Sequence, residues 1–112
     1  MANYQSIVPT KLCQIAMTTA TAVAYTVPSN TRTMVKNFDM CNTNNTLQTF
    51  SIYLVPAGQS PSTSNALFYN NNINGYSSIQ WSGVEILNKG DMIYVQGSSS
   101  GITIYISGAE CT

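Results

Sequence analysis

Histidine is absent from this chain of 112 residues, and charged residues make up only 7% of it. Four basic and four acidic side chains give a formal net charge of zero. A chain with so few cations has no electrostatic means of gripping a phosphate backbone, so nucleic-acid binding is not expected. With no histidine and four scattered acids, the usual groups of acid–base and nucleophilic catalysis are missing, and no enzyme activity is expected.

Long apolar runs are also missing from the sequence. No stretch approaches the ~20 apolar residues that a membrane-spanning helix needs, so no partnership with a membrane is expected. The opening residues MANYQS lack the basic start and the following apolar segment of a secretory signal peptide. The sequence therefore predicts synthesis and folding in a cytoplasm, where thiols stay reduced.

Cysteine is scarce and odd in number, with Cys13, Cys41 and Cys111 far apart along the chain. They form no C-x-x-C pair and have no histidine to complete a zinc site, and the isolated carboxylates do not suit calcium. We predict three free thiols, with a Cys13–Cys111 bridge as the less favoured alternative. Neither a metal nor another cofactor is expected.

What the chain does contain is uncharged polarity, since Asn, Ser and Thr form about a third of it, together with 44% hydrophobic residues. The hydrophobic residues alternate with polar ones, most clearly near the end. Ile102, Ile104 and Ile106 share one face of a predicted strand, and Tyr105 lies on the other. With residues 91–96 this strand is predicted to form an antiparallel hairpin with one buried face.

The same alternation predicts strands back along the chain. We expect strands over residues 11–18, 22–27, 31–41, 46–55, 66–69, 77–87, 91–96 and 102–107, with residues 31–41 and 46–55 forming a second hairpin. Residues 42–45 and the Asn-rich residues 70–75 read as turns, residues 56–65 as a surface loop, and Gly83 as the site of a bulge. The prediction is all-β: one domain over residues 1–112, an antiparallel, jelly-roll-like β-sandwich of about seven or eight strands, after an irregular leader over residues 1–10.

The inward phase of these strands gives a predicted set of core or near-core residues. They are Phe38, Phe50, Ile52, Leu54, Trp81, Ile93, Ile102, Ile104 and Ile106.

Aromatic residues outside that set are the candidates for binding. Tyr53 and Tyr105 fall on the polar phase of strong strands, which is typical of an interface, although both rings could instead pack against neighbouring loops. Tyr69, Asn71, Tyr76 and Trp81 lie in and around the Asn-rich segment. Aromatic rings beside amides favour contact with a glycan, but Trp81 as an anchor of the core is the stronger interpretation.

Single acidic residues have structural interpretations. Asp91 follows Gly90 in a predicted turn, so its carboxylate is expected to accept hydrogen bonds from backbone N–H groups there. Glu85 and Glu110 are candidates for pairing with Lys36 or Arg32 at the ends of strands.

Four motifs occur in an order that resembles a known group of proteins. They are Y-T-V-P at Tyr25–Pro28, C-N-T at Cys41–Thr43, I-Y-L-V-P-A-G at Ile52–Gly58, and the closing N-K-G-D followed by I-Y-I-S-G-A-E. This order resembles small tail-region proteins of Bacillus-infecting siphophages and a β-sandwich domain of siphophage receptor-binding or baseplate proteins. The resemblance covers residues 25–110, and it leaves the role of residues 1–24 open. It brings no known set of binding residues.

The resemblance implies a non-enzymatic structural or adhesion protein of a bacteriophage tail or tail tip that acts through protein–protein contacts. It implies synthesis in the host cytoplasm, a place in the tail region of the virion, and release by lysis. The alternative is a glycan-binding module that recognises host cell-wall polysaccharide. Near-zero charge and open sheet edges predict a homo-oligomer, a trimer ahead of a dimer, with other phage tail proteins or host wall glycan as further partners.

Overall fold

The computed structural model describes residues 6–112 and shows an all-β sandwich of two antiparallel four-stranded sheets. The strands are β1 Ile7–Ala16, β2 Ala22–Thr26, β3 Arg32–Asn42, β4 Gln48–Val55, β5 Ala66–Ile73, β6 Ser78–Leu87, β7 Met92–Gly97 and β8 Ile102–Cys111. A 3-10 helix over Thr63–Asn65 lies between β4 and β5. The predicted fold class and number of strands are confirmed.

The chain changes sheet at almost every connection. Sheet A has the strand order β1-β8-β3-β6 and sheet B the order β2-β7-β4-β5, so only the β4–β5 connection stays within one sheet. Both predicted hairpins are therefore wrong, because β3 and β8 belong to sheet A while β4 and β7 belong to sheet B. Alternation identifies the buried face of a strand but not its hydrogen-bonding partner, and short connections allow a crossover as readily as a hairpin.

Two predicted boundaries also differ from the structure. Residues 7–10 of the predicted irregular leader are part of β1, and residues 1–5 of it lie outside the described residues. The Asn-rich residues 70–73 continue β5 instead of turning. Asn70 takes a positive φ of 46°, and its backbone N–H donates to the Ser51 hydroxyl at 2.9 Å, so the strand bulges and resumes.

The core fills the space between the two sheets with large side chains. All nine predicted core residues lie there: seven are buried, while Leu54 and Trp81 are half-buried and pack against the buried cluster. The Trp81 ring meets Phe38 edge-on at a centroid distance of 5.4 Å. Burial of these apolar side chains is the main contribution to the stability of such a domain.

A bulge interrupts the centre of sheet A. The register of β3 against both β6 and β8 shifts between Val35 and Asn37, where Gly83 and Val84 of β6 stand opposite Lys36. The predicted bulge at Gly83 is thus confirmed.

The neighbouring strand shows why glycine is needed beside this bulge. A Cβ atom on Gly108 of β8 would lie 1.9 Å from the carbonyl oxygen of Met34. Only glycine permits this approach of the two backbones.

A buried amide fixes the crossover from β3 to β4. Asn42 is fully buried, and its side-chain N–H groups reach the carbonyl oxygens of Thr46, Ile73 and Asn74 at 2.9, 3.1 and 3.2 Å. Its side-chain oxygen accepts the backbone N–H of Asn44 at 2.9 Å. One side chain therefore ties the β3–β4 crossover to the turn between β5 and β6.

We predict that Asn42→Asp destabilises the fold by about 2–4 kcal/mol, because the new carboxylate is buried and places an acceptor oxygen against three carbonyl oxygens. Denaturant unfolding followed by circular dichroism measures the change. Asn45→Ala is the matched control, since Asn45 is exposed in the same crossover. Its cost is expected to stay within about 0.5 kcal/mol. Equal stability of the two variants would contradict the role given to Asn42.

Candidate interaction surface

The outer face of sheet A carries a row of polar side chains centred on Tyr105. Strand register places Gln14, Tyr105, Asp39 and Gln80 side by side across β1, β8, β3 and β6. Tyr105 is 36% exposed, while Ile104 and Ile106 beside it are buried in the core. The predicted outward orientation of Tyr105 is confirmed.

Two shallow grooves flank the Tyr105 ring. The first, here the Asp39 groove, has a volume of about 340 Å³, and its polar lining is Gln14, Asp39, Cys41, Ser78, Gln80 and Thr103. The second, here the lysine groove, has about 370 Å³ and is lined by Pro9, Thr10, Lys11, Lys36, Ser107 and Gly108. Tyr105 lines both, so the ring forms the ridge between them.

Hydrogen bonds order the side chains of this face before any ligand arrives. The Asn37 amide donates to Asp39 Oδ2 at 2.6 Å, and the Gln80 amide donates to Asn37 Oδ1 at 3.4 Å. Lys11 Nζ donates to Gln14 Oε1 at 3.2 Å. In the described part of the chain, Asp39 Oδ1 and the Tyr105 hydroxyl have no hydrogen-bond partner.

On the outer face of sheet B, the structure corrects the prediction for Tyr53. Tyr53 is only 7% exposed, and Ser51 and Val55 on the same side of β4 are also buried. These residues face away from Phe50 and Ile52, as predicted. However, Tyr94 lies beside Tyr53 in the register, and the 3-10 helix after β4 packs back against that strand. Tyr53 is therefore not available as an exposed interface residue.

The predicted glycan contacts are divided between the two sheets. Tyr69 and Asn71 belong to β5 of sheet B, Tyr76 to the turn after it, and Trp81 to β6 of sheet A. Tyr69 and Tyr76 are 55% and 76% exposed, but Trp81 is held against the core by Phe38. None of the four lines either groove beside Tyr105. Trp81 is thus a core anchor, the stronger of its two interpretations.

The carboxylates Asp91 and Glu110 both hold the fold. Asp91 accepts the backbone N–H of Ala57 at 3.0 Å and of Asn88 at 2.8 Å, which confirms its predicted role in the turn. Glu110 accepts the hydroxyl of Tyr25 at 2.5 Å, so it links β8 of sheet A to β2 of sheet B.

The Tyr25 hydroxyl lies at the centre of this link and also meets the Thr33 hydroxyl at 2.8 Å. Burial and the hydrogen bond to Glu110 raise the pKa of Tyr25 to about 12. Sequence reasoning missed this cluster because the three residues lie on three strands whose pairing it did not predict.

The edges of the two sheets carry most of the exposed apolar side chains. Of ten large hydrophobic residues exposed in the described part of the chain, seven lie on edge strands: Ile7, Val8, Ile15, Val23, Tyr69, Val84 and Ile86. An edge strand presents unpaired N–H and C=O groups, and exposed apolar residues beside them favour pairing with another chain. The four edges are therefore a second candidate surface for protein contacts.

The three cysteines are free in the structure. Cys13 lies opposite Ile106, and Cys111 is five residues further along β8, so the two thiols are about 17 Å apart along the strand. A disulfide needs Cα atoms within about 7 Å, which excludes the alternative Cys13–Cys111 bridge within one folded chain. Burial raises the pKa of Cys13. Cys41 is half-buried and lines the Asp39 groove.

Comparison with known proteins finds solved structures with a similar fold. A chain from Bacillus endospore appendages, described as a novel family of disulfide-linked pili, is similar with a TM-score of 0.62 and 12% sequence identity. The match covers 100% of this chain and 93% of that chain. At this identity the similarity shows a shared fold. No family model and no curated protein matches the sequence.

The described residues lack two further features. None of the helices there has the length and apolarity to cross a membrane. No group of three or more His, Cys, Asp or Glu side chains in that part of the chain is placed to hold a metal ion.

We predict that Cys41 reacts first when the native protein is alkylated, and that Cys13 reacts more slowly because it is buried and its pKa is raised. Timed alkylation with iodoacetamide at pH 8, followed by peptide mass spectrometry, measures the order. Cys41→Ser should remove the fast phase, and denaturation without reductant should release three thiols. A stoichiometric disulfide within the chain would contradict this assignment.

Proposed function

We propose that this chain is a non-enzymatic structural subunit that associates with copies of itself through the edges of its sheets. The observation that carries the proposal is the concentration of exposed apolar side chains on the four edge strands. Edges in monomeric proteins are usually protected by charged residues. The edge strands of sheet B, β2 and β5, contain no charged residue, and β1 and β6 of sheet A contain one each, Lys11 and Glu85.

The two edges of sheet A are unlike in sequence and opposite in charge. Head-to-tail contact between β1 of one copy and β6 of the next would bring unlike charges to the same junction. Such an interface either closes into a ring, of which a trimer is the smallest, or continues into a filament. A trimer remains our preferred closed form, and a filament is the open one.

Two independent similarities support an assembly role. The sequence motifs resemble small phage tail-region proteins, and the fold is shared with a subunit of disulfide-linked pili. Both comparisons involve proteins that act by assembling, and neither provides a catalytic site. We therefore favour contacts between proteins over recognition of wall polysaccharide as the principal function.

Self-association is tested by light scattering coupled to size exclusion over a wide micromolar range, with negative-stain microscopy for filaments. Val84→Lys places a charge on the β6 edge, and it should raise the concentration needed for half-association about tenfold or more. Leu47→Lys is the matched control, because both residues are 53% exposed but Leu47 lies in the β3–β4 connection. A single monomer mass at every concentration would overturn the proposal.

For the location, we propose the tail region of a bacteriophage virion, as the sequence motifs suggest. Mass spectrometry of purified virions should then detect peptides of this chain at a fixed ratio to the major tail protein. Its absence from virions, with self-association intact, would reject the phage location while leaving the assembly role in place.

A further inference from the structure

We propose that the Tyr105 ridge and its two grooves bind an acidic oligosaccharide. The site lies on the outer face of sheet A and includes side chains of both edge strands, among them Lys11 and Gln14 of β1 and Gln80 of β6. Edge pairing uses backbone N–H and C=O groups, so this face stays accessible when copies associate edge to edge. It also differs in place from the glycan contacts predicted around Tyr69 and Tyr76. Three features of the site select this class of ligand: the ring, the polar lining and the distribution of charge.

The ring supplies the apolar part of the recognition. Tyr105 is 36% exposed at the centre of sheet A, on a strand whose neighbours hold it on both sides. Sugar rings present C–H groups on one face, and an exposed aromatic ring on a rigid strand is a suitable surface for them. Its hydroxyl is free for a hydrogen bond within the described part of the chain.

The lining supplies hydrogen bonds of the kind that sugar hydroxyls need. In the Asp39 groove, amides, hydroxyls and one carboxylate point outward together: Gln14, Gln80, Ser78, Thr103 and Asp39. Asp39 is held by Asn37 through Oδ2, which leaves Oδ1 as a fixed acceptor. Both grooves are shallow and open, which suits a chain-like ligand that lies along the sheet and not one enclosed in a pocket.

The charges separate across the ring, and this selects an acidic ligand. Of four basic residues in the whole chain, Lys11 and Lys36 both line the lysine groove, while Asp39 lies in the other groove. A saccharide that stacks on Tyr105 can place a carboxylate or phosphate beside the two lysines and its hydroxyls beside Asp39. A purely neutral sugar would leave the lysine groove unused.

The test compares two defined probes by saturation-transfer NMR, which observes the ligand and works whether or not the protein assembles. The acidic probe is a hyaluronan hexasaccharide, and the neutral one is chitohexaose. We expect saturable binding of the acidic probe, at least about tenfold tighter than the neutral one, and weaker binding as salt is raised. No saturable transfer from the acidic probe, or equal binding of the two probes, would overturn the proposal.

Variants locate the site and separate its parts. Tyr105→Ala should weaken both probes about tenfold, whereas Tyr105→Phe, which keeps the ring, should retain most of the binding. Lys11→Gln with Lys36→Gln should weaken the acidic probe alone. Tyr69→Ala is the matched control, since Tyr69 is exposed on β5, and it should change neither affinity. Loss of binding in the Tyr69 variant with none in the Tyr105 variants would place the glycan site elsewhere and reject the proposal.

Edge pairing uses the backbone groups of the edge strands, whereas Tyr105 lies on the central strand β8, so the Tyr105 variants distinguish a failure of glycan binding from a failure of association. The Tyr105 variants and Lys36→Gln alone should leave the oligomeric mass unchanged, because neither residue lies on an edge strand, and circular dichroism should keep its β-rich form. If Tyr105→Ala loses both binding and the native circular dichroism spectrum, the variant has failed to fold. The test then uses Tyr105→Phe and the lysine variants, which retain the packing of the ring. If the variant with both lysines replaced binds the acidic probe as the unchanged protein does, the lysines do not select the ligand and the proposal of an acidic ligand is rejected.

Discussion

Sheet A depends on one strand, β8, which hydrogen-bonds to β1 on one side and β3 on the other while its isoleucines fill the core. Its backbone comes so close to Met34 at Gly108 that no side chain fits between them. The same strand presents Tyr105 outward and joins the second sheet through Glu110 and Tyr25. The core, the candidate binding ridge and the link between the sheets thus share the strand β8. A shift of its register by one residue would turn its buried side chains outward and its exposed side chains inward.

The sequence predicts those features of the fold and of the candidate site that depend on neighbouring residues in the chain. Alternation along a strand identified nine residues of the core and the outward side of Tyr105, because both depend on a period of two. The pairing of strands is not a local property. Nothing in residues 98–101, which connect β7 to β8, distinguishes a hairpin from a crossover between the sheets. Tyr53 was placed on the correct side, but its burial depends on a segment that returns from later in the chain. The grooves beside Tyr105 needed the register of four strands, which brings Lys11 and Asp39 to one face from distant positions.

Scarcity of charge has consequences for both surfaces. With so few ionic groups, solubility depends on Asn, Ser, Thr and Gln, which bind water well but repel other protein surfaces weakly. Edges without charge then favour association. Each of the few charged side chains has a greater effect on the local electrostatic potential, because few other charged side chains lie nearby to offset it. Two lysines on one side of Tyr105 and one aspartate on the other are enough to give that face a positive side and a negative side.

The position of β8 in the chain also determines when sheet A can form during synthesis. Its residues leave the ribosome last among the eight strands, some tens of residues after β1 and β3. At ordinary translation rates this interval lasts on the order of 5–20 s. Until β8 emerges, β1 has no neighbour in sheet A, and such distant pairing is slow to form even afterwards. A nascent chain is therefore unable to join an assembly early, and meanwhile its unpaired β1 and β3 are exposed to pairing with strands of other unfinished chains.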